Sequence, residues 1–306
     1  MTQTVLVAGG TGVLGNRIAH YLLKEPDAEV RLLVRPGVMA NAAKSALVSP
    51  LLDRGAHVIE GDLADRASLE RATMGVNVIV SAVQGGPDVI VEGQLALAEA
   101  ARRNGVRRIL PSDFALDFFE HAEGGHMMFD MRRKADKAIA ASGLEHVHVL
   151  NGAFMDVFLN PWGEPMFDME KGVANTWGDG DERFDTTSIE DTARYTAKAA
   201  LDRGVPSGKF AVSGQQTSFE EITRALEQVT GRTFKRESRG SVAELKVWID
   251  DTRASNPDPM ATIAARYQLY MLIGPVLQNV QNSRYPDIVP ETFAQHVART
   301  DRGMAA

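Results

Sequence analysis

Gly10, Gly12 and Gly15 carry the spacing G-x-G-x-x-G within Val5-Leu6-Val7-Ala8-Gly9-Gly10-Thr11-Gly12-Val13-Leu14-Gly15. Such a triple between a strand and a helix is a dinucleotide-binding fingerprint. One glycine allows a tight turn, one lets the backbone approach a pyrophosphate, and one lets the helix pack close to the strand. The free N–H groups and partial positive charge of the helix N-terminus then face the phosphates. The context is the required one: an apolar run precedes the glycines, and Asn16–Leu23 follows with helical spacing. Arg35 is the next residue of chemical interest. An acidic residue usually stands about 20 residues beyond the glycines, at the end of the second strand, to bind the ribose hydroxyls of NAD. Arg35-Pro36 stands there instead, and Lys44 adds a second cation. A planar guanidinium suits a 2′-phosphate, so the expected cofactor is NADP(H).

Other reactive patterns are missing. Without cysteine there is no disulfide, thiol nucleophile or thiolate metal site. None of the five tyrosines has a lysine four residues later, and no Gly-x-Ser-x-Gly elbow or Walker loop occurs. His146 and His148 point to one side of a strand, but no third ligand is evident, so they are read as packing and no metal is expected. His121 and His126, in a loop, have the residue type to donate a proton near neutral pH.

These residues need elements to hold them. Strands are expected at Val5–Ala8, Glu29–Val34, Ala56–Glu60, Val76–Val83, Arg107–Leu110 and His146–Leu150. Between them run helices over about Val38–Leu52, Arg66–Thr73 (capped by Asp65), Val89–Asn104 and Met127–Ser142. Strands alternating with helices imply an α/β fold, a Rossmann-like doubly wound parallel sheet. Beyond Asn151 the regularity weakens. Helices are expected at Ser188–Asp202, Ser218–Gly231 and about Ala261–Leu277, and a strand at Lys209–Ser213. The expected division is a cofactor-binding domain over 1–153, with a return segment around 174–202, and a smaller substrate lobe over 154–306.

Composition narrows the class. The 306 residues include 33 Lys and Arg against 40 Asp and Glu, a net charge of −7, which argues against nucleic-acid or acidic-membrane partners. Arg102-Arg103 and Arg107-Arg108 flank a turn and are read as solvated. No apolar run approaches the ~20 residues that span a bilayer. A cytoplasmic monomer or homodimer acting on a small molecule is expected.

Several stretches together resemble the NmrA-like, isoflavone-reductase-like family of atypical short-chain dehydrogenases. They are the glycine loop, Arg35-Pro36 with Lys44, Val80-Ser81-Ala82-Val83 with Gln94, Leu110-Pro111-Ser112-Asp113-Phe114, Phe129–Phe158 and Tyr285-Pro286-Asp287. The resemblance implies that Gly9, Thr11, Gly12, Val13 and Leu14 hold the pyrophosphate, and Arg35 and Lys44 the 2′-phosphate. Ala82, Val83 and Gln84 would lie along the cofactor, and Phe114 and Phe154 would border the nicotinamide. It also implies a general acid/base in the pattern Phe-x-x-Lys.

Here that pattern reads Phe129-Asp130-Met131-Arg132. Lysine can lose its proton when buried, whereas arginine stays charged. Arg132 is therefore expected to polarise an oxygen or hold a carboxylate, or else to form a structural ion pair with Asp113 or Asp117. At about 100° per residue, Met128, Met131, Ala135 and Ile139 form one inward stripe with Arg132 beside it. Lys134 lies on the flank as a fallback acid, and Lys137 points outward. Phe118, Met127, Phe158 and Trp162 are expected to line an apolar substrate pocket with Phe119 and Met166. The expected function is NADPH-dependent reduction of a small apolar or aromatic carbonyl, benzylic ether or activated double bond. The alternative is a non-catalytic NADP(H)-binding redox sensor.

Overall fold

A computed structural model describes residues 2–159 and 166–304. Six strands form in the first half: β1 (Gln3–Ala8), β2 (Ala28–Val34), β3 (His57–Glu60), β4 (Val78–Ser81), β5 (Arg108–Leu110) and β6 (Glu145–Leu150). The short strands β7 (Ala153–Phe154), β8 (Phe167–Asp168), β9 (Val173–Thr176) and β10 (Phe184–Thr187) precede β11 (Gly208–Ala211). β12 (Gln215–Thr217) and β13 (Lys235–Ser238) follow. The central sheet has seven strands in the order β11-β6-β5-β4-β1-β2-β3, all parallel. The order reverses between β1 and β4. Such a reversal opens a crevice at the C-terminal ends of the strands, where ligands bind in doubly wound sheets.

The sheet is apolar on both faces because helices cover both. Successive side chains of β1 alternate: Val5 and Val7 face α1 (Val13–Leu22), α2 (Ala42–Leu52) and, from the second half, the helix Ile189–Leu201. Leu6 and Ala8 face α3 (Arg66–Thr73), α4 (Gln94–Arg103) and α5 (Met127–Ala141). Local signals set the helix starts. Asp65 accepts from the N–H groups of Ala67 and Ser68, so its expected cap forms. The helix expected from Val38 instead breaks at Asn41, whose side chain caps α2 through Lys44 N–H and so aims Lys44. Ahead of α4, Asp88–Gly93 winds as a π-type turn.

The remainder caps the C-terminal ends of the strands. It holds two three-stranded sheets, β12-β10-β7 and β13-β9-β8, with α6 (Asp156–Leu159) following β7 in the chain. Its larger helices are α8 (Phe219–Thr230), α9 (Val242–Ser255), α10 (Ile263–Ile273) and α11 (Phe293–Met304), after α7 (Ile189–Leu201) has returned to the sheet face. The short strands and α9 were not foreseen, although Ser241 and Glu244 form a capping box at the start of α9. The return to the central sheet also runs past 174–202, because β11 pairs with β6 from Gly208 to Ala211. Among the described residues no helix is long and apolar enough to cross a membrane.

The expectation of a solvated Arg108 is overturned. Its side chain is buried on β5, and its guanidinium donates to the carbonyls of Ala199 (2.9 Å), Asp202 (2.7 Å) and Val205 (2.7 Å). A fourth bond reaches Glu145 at 3.0 Å. Arg108 thus satisfies the carbonyl end of α7, where a cation is favoured by the helix dipole. Arg108→Met should destabilise the fold by about 3 kcal/mol, because it orphans buried carbonyls. Urea denaturation checks this, and a loss below about 0.5 kcal/mol would refute the anchoring role.

Candidate functional site

A groove of about 1910 Å³ runs along the C-terminal ends of the strands and beneath the cap. A typical small-molecule site holds roughly 300–1,000 Å³, so there is room for a dinucleotide and a second ligand. One end is formed by the glycine loop. Gly9, with φ +88°, makes the turn; a Cβ there would come within 2.3 Å of the Ala82 carbonyl oxygen. Gly15 lets α1 close on the loop, since its Cβ would lie 2.3 Å from Gly9 O. The N-cap of α1 is Gly12, with no side-chain cap and no acid in the first turn. Its leading N–H groups therefore face the groove without a carboxylate to compete.

Two cations flank this loop. Lys44 Nζ donates to Thr11 O at 3.0 Å. Arg35 follows β2 exposed on the groove wall, with no hydrogen bond or ion pair for its guanidinium among the described residues. Bare helix amides and two cations form an anion-receiving end, which fits the phosphates of NADP(H). All the residues expected to meet the cofactor line this groove: Gly9, Thr11, Gly12, Val13, Leu14, Arg35, Lys44, Ala82, Val83, Gln84, Phe114 and Phe154.

The other end is built on the segment after β5. Ser112 N–H donates to Gln94 Oε1 (2.8 Å) and Ser112 Oγ to Val83 O (2.7 Å). The Ser112 carbonyl accepts from Arg132 Nε at 3.0 Å. Arg132 Nη1 donates to the Tyr267 hydroxyl at 3.2 Å. These bonds tie the segment after β4, α4, α5 and α10 together, with the Arg132 guanidinium on the groove wall. Arg132 forms neither of the expected ion pairs. Asp117 pairs with Lys209 (2.8 Å), and Asp113 with His148 (2.7 Å). Burial opposes the Arg132 charge, but Tyr267 and the nearby Asp113 carboxylate outweigh it and push its proton affinity up.

Behind Arg132, Asp113, Asp136 and His148 face one another, all buried, with their nearest ligand atoms within 4.8 Å. Neither carboxyl oxygen of Asp136 has a donor. Burial and the adjoining Asp113 carboxylate push Asp136 well above the usual carboxylate range, and Arg132 only partly opposes this. Asp136 therefore keeps its proton at neutral pH beside the Asp113 carboxylate. A group whose folded pKa is raised contributes stability that is fully present below its ordinary value near 3.8 and is lost as pH rises through the raised value. Asp136→Asn should flatten this loss across pH 5–8, by up to about 1.4 kcal/mol per pH unit. Thermal melts of both proteins over that range check it; parallel curves would refute a protonated Asp136.

Four expected positions move. Lys134 is exposed on the outer face of α5 and does not reach the groove, so its place as a fallback acid is lost. Phe118 is wholly buried in a separate cluster with Phe129 and Leu245, and Met127 packs beside Ile90 and Met131 rather than lining the groove. Phe119 likewise stacks on Phe118 away from it. Phe158 and Met166 do line the groove, and Trp162 lies outside the described residues. His126 is buried, and burial with the charges of Arg132 and Arg266 pushes it down to about 3, so it is neutral. The remaining apolar wall comes from Met128 and from the unforeseen Trp177, Trp248, Ile263, Tyr267 and Met271. The helical spacing over 261–277 located α10 but said nothing of which face would meet α5.

A doubly wound sheet with a bare-amide glycine loop at its switch point is the architecture of the Rossmann-type dinucleotide-binding proteins. The comparisons narrow that class: the model of the NmrA-like family matches residues 1–287. The chain belongs to the NmrA-like family. It is 33% identical to pinoresinol reductase 1 of Arabidopsis thaliana over 243 residues, 76% of each chain. It is 34% identical to pinoresinol reductase 2 of the same plant over 210 residues, 65% of this chain and 64% of that relative. In structure it is similar to AtPrR2 with NADP+ and (+)pinoresinol, with a TM-score of 0.83, 26% identity, and 97% and 98% of the two chains covered. An NADPH complex of the quinone oxidoreductase QOR2 from Escherichia coli shares the fold, with a TM-score of 0.75, 20% identity, and 97% and 99% covered.

Proposed function

We propose that this protein reduces a small aromatic carbonyl, benzylic ether or activated double bond with NADPH. It is an NADP(H)-dependent oxidoreductase. The observation that carries the substrate class is the continuity of the groove. An anion-receiving end with Arg35 and Lys44 leads, past Phe114 and Phe154, into an apolar chamber whose one buried cation is Arg132 among the described residues lining it. The α1 amides and Thr11 would hold the pyrophosphate, Arg35 and Lys44 the 2′-phosphate, and Ala82, Val83 and Gln84 the middle of the cofactor. Bound there, NADPH supplies a hydride. Phe114, Phe154 and Phe158 would exclude water from the reacting atoms. Arg132 would polarise the substrate oxygen, because a fixed charge in a dry site is worth far more than in water. The relatives support this reading, since the two named plant relatives are pinoresinol reductases and AtPrR2 is seen with NADP+ and (+)pinoresinol.

The test is a panel of aromatic aldehydes, enones, quinones and benzylic ethers, followed by loss of NADPH absorbance. Consumption of NADPH with at least one member is expected. Tight NADPH binding with no consumption across the panel would overturn the reductase reading. A partner captured only in one cofactor redox state would then favour the sensor.

A further inference from the structure

Arg132 leaves the chemistry one group short. A reduced oxygen needs a proton, and a guanidinium does not release one near neutral pH. Ser112 is beside it, but its hydroxyl proton is committed to the Val83 carbonyl at 2.7 Å. His126 is buried off the groove and neutral. Lys134 faces outward. Tyr267 differs from all three. Tyr267 lines the groove, half-buried, and its hydroxyl oxygen accepts from Arg132 Nη1 at 3.2 Å. An oxygen that accepts from a cation keeps its own O–H proton for a second partner.

The ring is held for that task. It packs edge-on to His126 and Phe129, with centroid separations of 4.4 and 5.5 Å, and beside Ile263 and Met128. Ser112, Met128, Arg132 and Ile263 also line the groove, with Arg132 bonded to the Ser112 carbonyl. We propose that Tyr267 is the proton donor to the substrate oxygen, with Arg132 as its positioning cation; the proposal rests on the reductase reading. When a carbonyl carbon accepts hydride, its π pair moves to oxygen. The phenol O–H bond breaks as the O–H bond of the product alcohol forms. The phenoxide left behind lies against the guanidinium and takes a proton back from water. NADPH is the reductant, so electrons and protons balance.

Tyr267→Phe keeps the ring and its packing while removing the proton. The expected result is a fall in kcat of at least about 100-fold for whichever aromatic aldehyde the native protein reduces, as for loss of a general acid. KM should stay within about threefold, and the melting temperature should not move. A second readout needs no turnover: benzamide, an unreduced carbonyl, titrated into the NADP+ complex. Tyr267→Phe should weaken benzamide about tenfold, the cost of one hydrogen bond, and leave NADPH affinity within about twofold. Unchanged kcat, or unchanged benzamide affinity, overturns the role of Tyr267 while the reductase reading stands. A native protein that binds NADPH and reduces nothing takes down the reductase reading itself, and the proton-transfer step with it.

Discussion

Replacing Arg132 by Met is expected to lower kcat by about 100- to 1,000-fold while NADPH affinity stays within about twofold, the loss seen when one preorganised donor to a developing oxyanion is removed. Methionine fills the buried shape beside Met128 and Met131 but cannot polarise an oxygen or hold Tyr267. Arginine does not titrate in the working range, so the native pH profile should carry no break belonging to Arg132 up to about pH 10. Tyr267 and the Asp113 carboxylate reinforce that charge against burial. Arg132→Lys retains a cation and introduces a titratable one, so it should recover part of the rate and bring a new pH dependence. Its shorter stem offers a point charge in place of a fork that now grips both the Ser112 carbonyl and the Tyr267 hydroxyl. Steady-state kinetics with fluorescence titration of NADPH checks all of this. Full turnover by Arg132→Met with a normal melt would remove Arg132 from the mechanism.

Arg35→Asp should weaken NADPH by one to two decades. Loss of a charge-assisted phosphate contact costs roughly 1.5–3 kcal/mol, and the new carboxylate repels the 2′-phosphate. NADH should weaken less, or bind better, because the carboxylate then stands where ribose hydroxyls are read. Arg35 is exposed and has no partner to give up among the described residues, so the substitution should leave stability nearly unchanged. The native preference for NADPH should also shrink as salt rises, since an exposed cation is screened. Equal affinity of the native protein for NADPH and NADH would refute the assignment.

The residues expected at the cofactor were legible because they belong to one local grammar. A strand, a glycine turn and a helix start lie within 15 consecutive residues, and the strand-end Arg35 follows at a set distance. The cap at Asp65 and the inward stripe of Met128, Met131, Ala135 and Ile139 on α5 were readable for the same reason, since caps and periodicity act over a few residues.

By itself the sequence determined the α/β alternation, the phosphate-binding loop and the absence of a carboxylate after the second strand, because each depends on short-range spacing and residue type. Tertiary structure alone decided that Gly9 makes the turn, since that rests on how close the Ala82 carbonyl comes. It decided that Arg108 caps α7 and that β11 completes the sheet. It also decided which aromatics meet the groove: Phe118 and Phe158 are alike in type and burial, but only the second has a wall on the cavity. Above all it placed Tyr267 on Arg132 across 135 residues of chain. A helical pattern shows that a face is buried, but not against what; that answer comes only when Phe129 and Arg132 of α5 meet Tyr267 and Tyr270 of α10.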